Sequence, residues 1–409
     1  MSGTVTLPGG TALPTTITVP SEVQGLAQSA ASQLTAIIDA GGTVSTIAPG
    51  DTPTPLSPGE QGIIQLVTTG PSGGTVALGD GYNAILITGN DAPTTVVGGS
   101  ASGQVIIGNG PLVANTGTGS ATVTGGFGNN LIGTAATGSQ GARIGTGDGN
   151  DTIIAASGNS TITAGTGSNL ISLGAGNNVV YSQGVDSIIA GSGQDTIGVE
   201  AGNIVVWGGA GAMTFIGGTG SATVAAGSGS ATIFGGTGGG IFSGGLGGNN
   251  VLVAGSGQTT VFGGGSGSTL FAAGAGGDML VAGIGNQTLS GGSSTGNNTF
   301  FAGSGVNIIG GGTGNDTIFG GSGVATVRGG AGADVFAFVN GSGGANAVVR
   351  IEDFTVGTDR VALSGFGTNV ASVLGTQTAA SGGGTQITLS DGTRVVFGNM
   401  SSVSGSVFG

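Results

Sequence analysis

From Thr146 onward the chain can be cut into nine-residue units, each pivoting on a Gly-rich turn and ending in a short apolar run. TGDGNDTII, AASGNSTIT, AGTGSNLIS and LGAGNNVVY follow one another over 146–181. After one eight-residue unit comes AGSGQDTIG at 190–198, then VEAGNIVVW, GGAGAMTFI, GGTGSATVA, AGSGSATIF and GGTGGGIFS over 199–243. Longer units follow, such as AAGAGGDMLV at 272–281, and AGSGVNIIG, GGTGNDTIF, GGSGVATVR and GGAGADVFA close the series over 302–337. Weaker copies, TGTGSATVT and GGFGNNLIG, stand earlier at 116–133. A period this regular fixes the architecture before any single residue is considered.

The physics of one unit is short. Glycine turns the chain because it reaches positive φ without a Cβ clash. The last three residues make a brief strand whose middle side chain points inward. That inward position is filled by Ile153, Ile162, Ile171, Val180, Ile197, Val206, Phe215, Val224, Ile233, Phe242, Ile318, Val327 and Phe336. Two units facing opposite ways make one coil of about 18 residues, and coils stack as parallel strands about 4.8 Å apart. The stretch 146–337 then predicts roughly ten to eleven coils and a rod of about 50 Å. One coil buries too little to stand alone, so stability passes between neighbours and each open end needs a cap or a partner.

Composition agrees and narrows the chemistry. Of 409 residues 98 are Gly, yet hydrophobic residues make up 37% and charged ones only 6%, which is not the profile of a disordered chain. Cys and His are absent, which removes disulfides, thiolate ligands, the usual zinc ligands and the commonest general base. The five basic residues are Arg143, Arg328, Arg350, Arg360 and Arg394 against a net charge of −13, so no basic face for nucleic acid can be assembled. No apolar run approaches the ~18 residues of a membrane span, and no positive n-region of a signal peptide precedes Arg143. The only close acidic pairs, Asp148/Asp151 and Glu352/Asp353, fall in a turn and in the tail, and nothing suggests a cleft around them; a non-enzymatic protein is expected.

Three regions are expected: a lead segment 1–97, repeats over 98–337, and a C-terminal region 338–409. In the lead segment Ser21-Glu22 reads as a helix start, Val23, Leu26, Ala30, Leu34 and Ile37 fall at helical spacing, and Gly41-Gly42 stops the run. This predicts one amphipathic helix over about 21–40, either capping its own solenoid or docking on a neighbouring subunit. Pro49–Pro58 reads as a linker or extended arm.

The unit GGxGxDx-(apolar)-x resembles the calcium-binding nonapeptide repeat of RTX proteins. GGTGNDTIF and GGAGADVFA fit it fully; TGDGNDTII and AGSGQDTIG fit with one Gly replaced. In the tail, Ile351, Asp353, Phe354, Gly357 and Asp359 follow the I-x-D-F-x-x-G-x-D pattern of the segment that closes such rolls. The resemblance covers roughly 116–409 and implies an all-β fold: a parallel β-roll or β-solenoid with a C-terminal β cap, to which the short N-terminal helix is added. It also implies secretion by a type I apparatus reading the C-terminal region.

Calcium is the ligand this resemblance implies, held between same-side turns by backbone carbonyls and the Asp at the sixth position; an oxygen-only set suits it. Asp316 and Asp334 are one coil apart in the two full matches and form the first candidate pair, with Gly312, Gly314, Gly330 and Gly332 shaping their turns. Asp151 faces Asn169 and Asp195 faces Met213 at the same interval, each at best a half site, and Asp278 has no clear partner. Asp353 and Asp359 are expected to serve the cap fold. Elsewhere the sixth position is Asn169, Asn178, Ala222, Ala231, Gly240 or Ala325, so many turns must hold without metal.

Two functions are open at this level. One is an extracellular structural protein that joins copies head to tail into a filament, surface layer or biofilm-matrix element. The other is an adhesin or ice-binding module, for which Thr196, Thr214 and Thr232 would line one face.

Overall fold

The computed structural model describes residues 2–7, 15–71, 73–79, 81–89, 92–136, 139–267, 269–292, 294–367 and 370–409. The chain divides into two compact units, Met1–Val206 with Ala210–Ala212 and Trp207–Gly209 with Met213–Gly409. Each is a parallel β-solenoid in which successive strands alternate between two sheets.

In the N-terminal unit one sheet runs from Thr43–Ile47 through Gly62–Thr68, Tyr82–Gly89 and Gln104–Ile107 to Gln194–Val199. The other runs from Gly74–Ala77 to Ser187–Ile189. Register follows the repeat: Ile153 pairs with Ile171 in one sheet and Ile162 with Val180 in the other. The sequence pattern therefore lands like on like, and the inward residues form a continuous apolar stack.

The ladder begins well before residue 98. Thr43–Ile47 already pairs in parallel with Gly62–Thr68, so most of the expected lead segment is solenoid. Two of its strands, Gly62–Thr68 and Tyr82–Gly89, run to 7 and 8 residues and their spacing is not nine, which hides them from the repeat count. The Pro-rich stretch 49–58 joins the first two strands and is tied down: the Thr54 amide donates to Ser45 Oγ (2.9 Å) and Tyr82 Oη donates to the Thr54 carbonyl (2.6 Å).

The helix forms where the apolar spacing places it. A 3-10 turn, Ser21–Val23, leads into Gln24–Asp39, and Gly41 at φ 86° ends it, its amide donating to Ile38 O at 2.8 Å. Ala27, Ala30, Ala31 and Leu34 are buried, spaced as one helical face. They pack with Val5, Ile17 and Val19 of an antiparallel hairpin, Ser2–Leu7 with Thr15–Pro20, onto Ile63, Ala84, Leu86, Val105 and Ile107. Those last five lie on the outer face of the first sheet, so the helix covers the flank of its own solenoid rather than its tip. Small residues permit the close approach: a Cβ on Gly145 would overlap Val23 and Leu26.

In the C-terminal unit, residues 213–216 pair with 231–234, and the sheet continues in parallel to Val348–Ile351. The second sheet runs from Ala222–Ala225 to Arg360–Ser364. All thirteen positions expected to point inward are buried, from Ile153 to Phe336. Later coils add larger side chains, Phe271 and Phe300, both fully enclosed. The expected cap is present. Arg394–Phe397 adds in parallel to Val348–Ile351, then Thr385–Thr388 pairs with it antiparallel, ending the parallel run. Phe354 seals the end, its ring 5.8 Å from Phe336 and 5.3 Å from Phe397.

Candidate metal centre

The turns are built by glycine and read by the sixth residue. Gly312, Gly330 and Gly332 hold φ of 123°, 98° and 130°, a region that other residues rarely adopt. Gly314 is needed for space, since a Cβ there would overlap the Gly296 carbonyl of the coil before it.

The Asp and Asn side chains at the sixth position turn back to the coil preceding them. Asp334 Oδ1 accepts the Asp316 amide (2.8 Å), Asp316 Oδ1 accepts the Asn298 amide (2.6 Å), and Asn298 Oδ1 accepts the Asp278 amide (3.0 Å). Asp278 Oδ1 in turn accepts the Thr259 amide (2.7 Å). The N-terminal unit repeats this through Asn130, Asp151, Asn169 and Asp186. Its other sheet does so through Ser160, Asn178 and Asp195. Asp and Asn thus perform the same bond with the same oxygen, and a charged-assisted bond to a buried amide is among the stronger kinds.

The expected pair Asp316/Asp334 is brought together, and Asp151 does face Asn169. Asp195 is bonded toward Asn178, whose amide and side-chain nitrogen both donate to its Oδ1. Asp278, expected to lack a partner, sits between Thr259 and Asn298, because longer units stretch its intervals to 19 and 20 residues. Asp186 was not singled out from the sequence: the eight-residue unit shifts it out of the nine-residue count, yet it is a full member. Asp359 and Asp353 serve the cap as expected. Asp359 accepts the Asp334 and Thr355 amides, and Asp353 accepts those of Gly329 and Gly330 with its two oxygens.

What differs between rungs is the second carboxylate oxygen. In Asp186 it accepts from Ser182 Oγ (2.5 Å), in Asp195 from the Gly191 amide (3.1 Å) and in Asp278 from the Gly274 amide (2.6 Å). In Asp151, Asp316 and Asp334 Oδ2 is buried with no hydrogen-bond partner. Beside Asp151 stands the Thr146 hydroxyl, which holds its pKa down against the larger upward push of burial. Beside Asp316 stands the Asn298 side chain, which holds its pKa down in the same way against the larger push of burial. A Cβ placed on Gly311 would overlap both Asp316 Oδ2 and the Gly329 carbonyl, so two acceptors flank that α-carbon.

Burial raises the carboxyl pKa of Asp151, Asp186, Asp278 and Asp316. Asp334 is pushed up to about 6, by burial first and then by the nearby charges of Asp359, Asp316 and Asp353. Unpartnered anionic oxygen beside carbonyl oxygen fits a hard divalent cation, which takes six to eight oxygen ligands from carboxylates and backbone. No group of three or more His, Cys, Asp or Glu converges among the described residues, so a cation here would rely on one carboxylate per turn and on carbonyls.

Comparison with known families agrees with this chemistry. The model of the RTX calcium-binding nonapeptide repeat matches in four copies, over residues 145–180, 182–212, 293–327 and 310–347. No curated protein and no solved structure is matched.

Proposed function

Starting from a chain that carries RTX calcium-binding nonapeptide repeats, we propose that it is a secreted, non-enzymatic structural protein whose copies associate through solenoid faces into an extracellular filament, surface layer or matrix. The observation that carries this reading is a row of apolar side chains on the outside of the C-terminal unit. Phe262, Val281, Phe301 and Phe319 occupy successive rungs of one sheet, and the Phe301 and Phe319 rings stack at 4.6 Å and 4°. On the other sheet Ile216 and Phe234 are adjacent and exposed, followed by Val253. Contiguous apolar surface of this kind is a protein-contact signature. A second copy is the fitting occupant, because it carries the same row at the same rung spacing.

An antiparallel strand covers the C-terminal edge of the ladder, which favours joining through the faces over the head-to-tail joining expected from the sequence. Calcium enters as support for turns. When bound it supplies positive charge to the unpartnered oxygens of Asp316 and Asp334; the chain's own amides and carbonyls shape those turns. No helix among the described residues is long and apolar enough to cross a membrane. A type I apparatus reading the C-terminal region remains the export route that the repeats suggest.

The ice-binding alternative gains nothing from the face it needs. Thr214 and Thr232 are neighbours, but the next rungs carry Val251 and Leu270.

Electron microscopy and sedimentation with calcium test the assembly. Ordered polymers that vanish in the double variant Phe301→Ser/Phe319→Ser support it. A protein that stays monomeric at high concentration overturns it.

A further inference from the structure

Among the described residues seven rungs place a donating side-chain amide where the Asp316 rung has a bare carboxylate oxygen, Asn307 with Nδ2 on Gly305 O (3.3 Å) being one; in an eighth, Gln287, Oε1 accepts the Gly283 amide and Nε2 is buried without a partner. Gln104 Nε2 donates to the carbonyls of Gly99, Ala101 and Thr116, each at 2.8 Å. Asn130 Nδ2 donates to Gly126 and Gly128 carbonyls and to Asp151 Oδ1. Asn169 Nδ2 reaches Gly165 O and Asp186 Oδ1, and Asn178 Nδ2 reaches Gly176 O and Asp195 Oδ1. Asn250 Nδ2 donates to Gly245 O.

The clearest comparison is between two successive rungs of one stack. Asn298 Nδ2 donates to Gly296 O of its own turn (3.1 Å) and to Gly311 O of the next (3.4 Å). One coil on, Asp316 Oδ2 stands against Gly329 O, the carbonyl equivalent to Gly311 O. The same backbone cradle therefore holds a donor in one rung and an acceptor in the next. A ring of carbonyls needs positive charge or N–H at its centre. An amide nitrogen supplies the N–H from within the chain; a carboxylate cannot.

We propose that the sixth-position amides are built-in substitutes for the divalent cation, so that cation dependence is confined to the turns whose carboxylate Oδ2 is left open, those of Asp316, Asp334 and Asp151, while the fully bonded turns over 174–195 hold without metal. The proposal rests on calcium being the ligand of the open turns. It removes Asp195 from the metal ligands that the sequence suggests and keeps Asp151. Asp195 is fully bonded by Asn178 and Gly191, whereas Asp151 is bonded by Asn130 through Oδ1 alone and its Oδ2 has no partner.

The test uses the full chain. Calcium is titrated calorimetrically into wild type, Asn298→Asp and Asn298→Ala, and hydrogen exchange is followed with calcium and with chelator. Calcium should slow exchange at least about tenfold in the 311–339 turns and leave the 174–195 turns within about twofold. Asn298→Asp should take up one additional calcium; Asn298→Ala should not. Equal protection of the 174–195 turns by calcium, or unchanged uptake by Asn298→Asp in a chain that binds calcium, overturns the substitution. A wild type that binds no calcium overturns the calcium reading itself, and is told apart by its flat titration.

Discussion

Replacing Asp334 by Asn should stabilise the calcium-free protein and weaken the calcium-bound one. Asp334 is fully buried; its Oδ1 accepts the Asp316 amide at 2.8 Å, and its Oδ2 accepts nothing. An asparagine keeps the first bond and replaces the unpartnered anionic oxygen with a donor, as Asn298 does two rungs earlier. A buried acceptor without a partner costs about 1–3 kcal/mol, so the calcium-free variant should gain about that much. The gain depends on pH in a definite direction. The folded carboxyl titrates at about 6 against an ordinary 3.8, so the native state holds its proton more tightly than the unfolded state. The stability this proton confers is fully present below pH 3.8 and is lost as pH rises through about 6. The advantage of Asp334→Asn should therefore be small at pH 4 and full at pH 7.5. Urea unfolding of both proteins in chelator, across that range, measures it. With calcium added the order should reverse, because the wild type gains ligand linkage at a site the variant has lost. A variant less stable than wild type in chelator at pH 7.5, or an advantage that ignores pH, would refute the reasoning.

Other perturbations probe the rest of the architecture. Phe271 is fully buried between Leu252 and Leu289 of adjacent rungs, so Phe271→Ala should cost about 3–5 kcal/mol in urea unfolding of the C-terminal unit. Gly332→Ala combines a φ of 130° with overlap on the Gly314 carbonyl and should cost more than about 1 kcal/mol, seen as a lowered melting temperature. Leu34 is 2% exposed beneath the helix; Leu34→Ala should cost about 2–5 kcal/mol and speed proteolysis within 21–40 before the strands open.

The inward stack was legible because glycine punctuates it: wherever the period of nine held, the residue expected inside is inside. Residues 43–97 escaped that count because their longer strands, such as Gly62–Thr68 and Tyr82–Gly89, need no glycine pair to turn at fixed intervals. The antiparallel pair Ser2–Leu7 with Thr15–Pro20 alternates Thr with Val, Leu or Ile, a period of two that falls outside the count of nine, and it packs its apolar side with the helix. At the site, the spacing placed Asp316 and Asp334 together. Asp186 and Asp278 were hidden by one unit too short and others too long. The role of the asparagines was invisible for a different reason: a letter tells that an amide can bond to backbone, not that its nitrogen sits where a neighbouring rung keeps an oxygen.

The rung-to-rung bonds run both ways along the stack. At the sixth position the acceptor belongs to the later coil and the amide to the earlier one, whereas the fifth-position Asn129, Asn150, Asn297 and Asn315 accept amides of the later coil. Each coil thus both gives to and takes from its neighbours, as courses of masonry keyed from above and below. At the C-terminal end the cap takes over the acceptor's part, through Asp359 on Asp334 and Asp353 on Gly329 and Gly330.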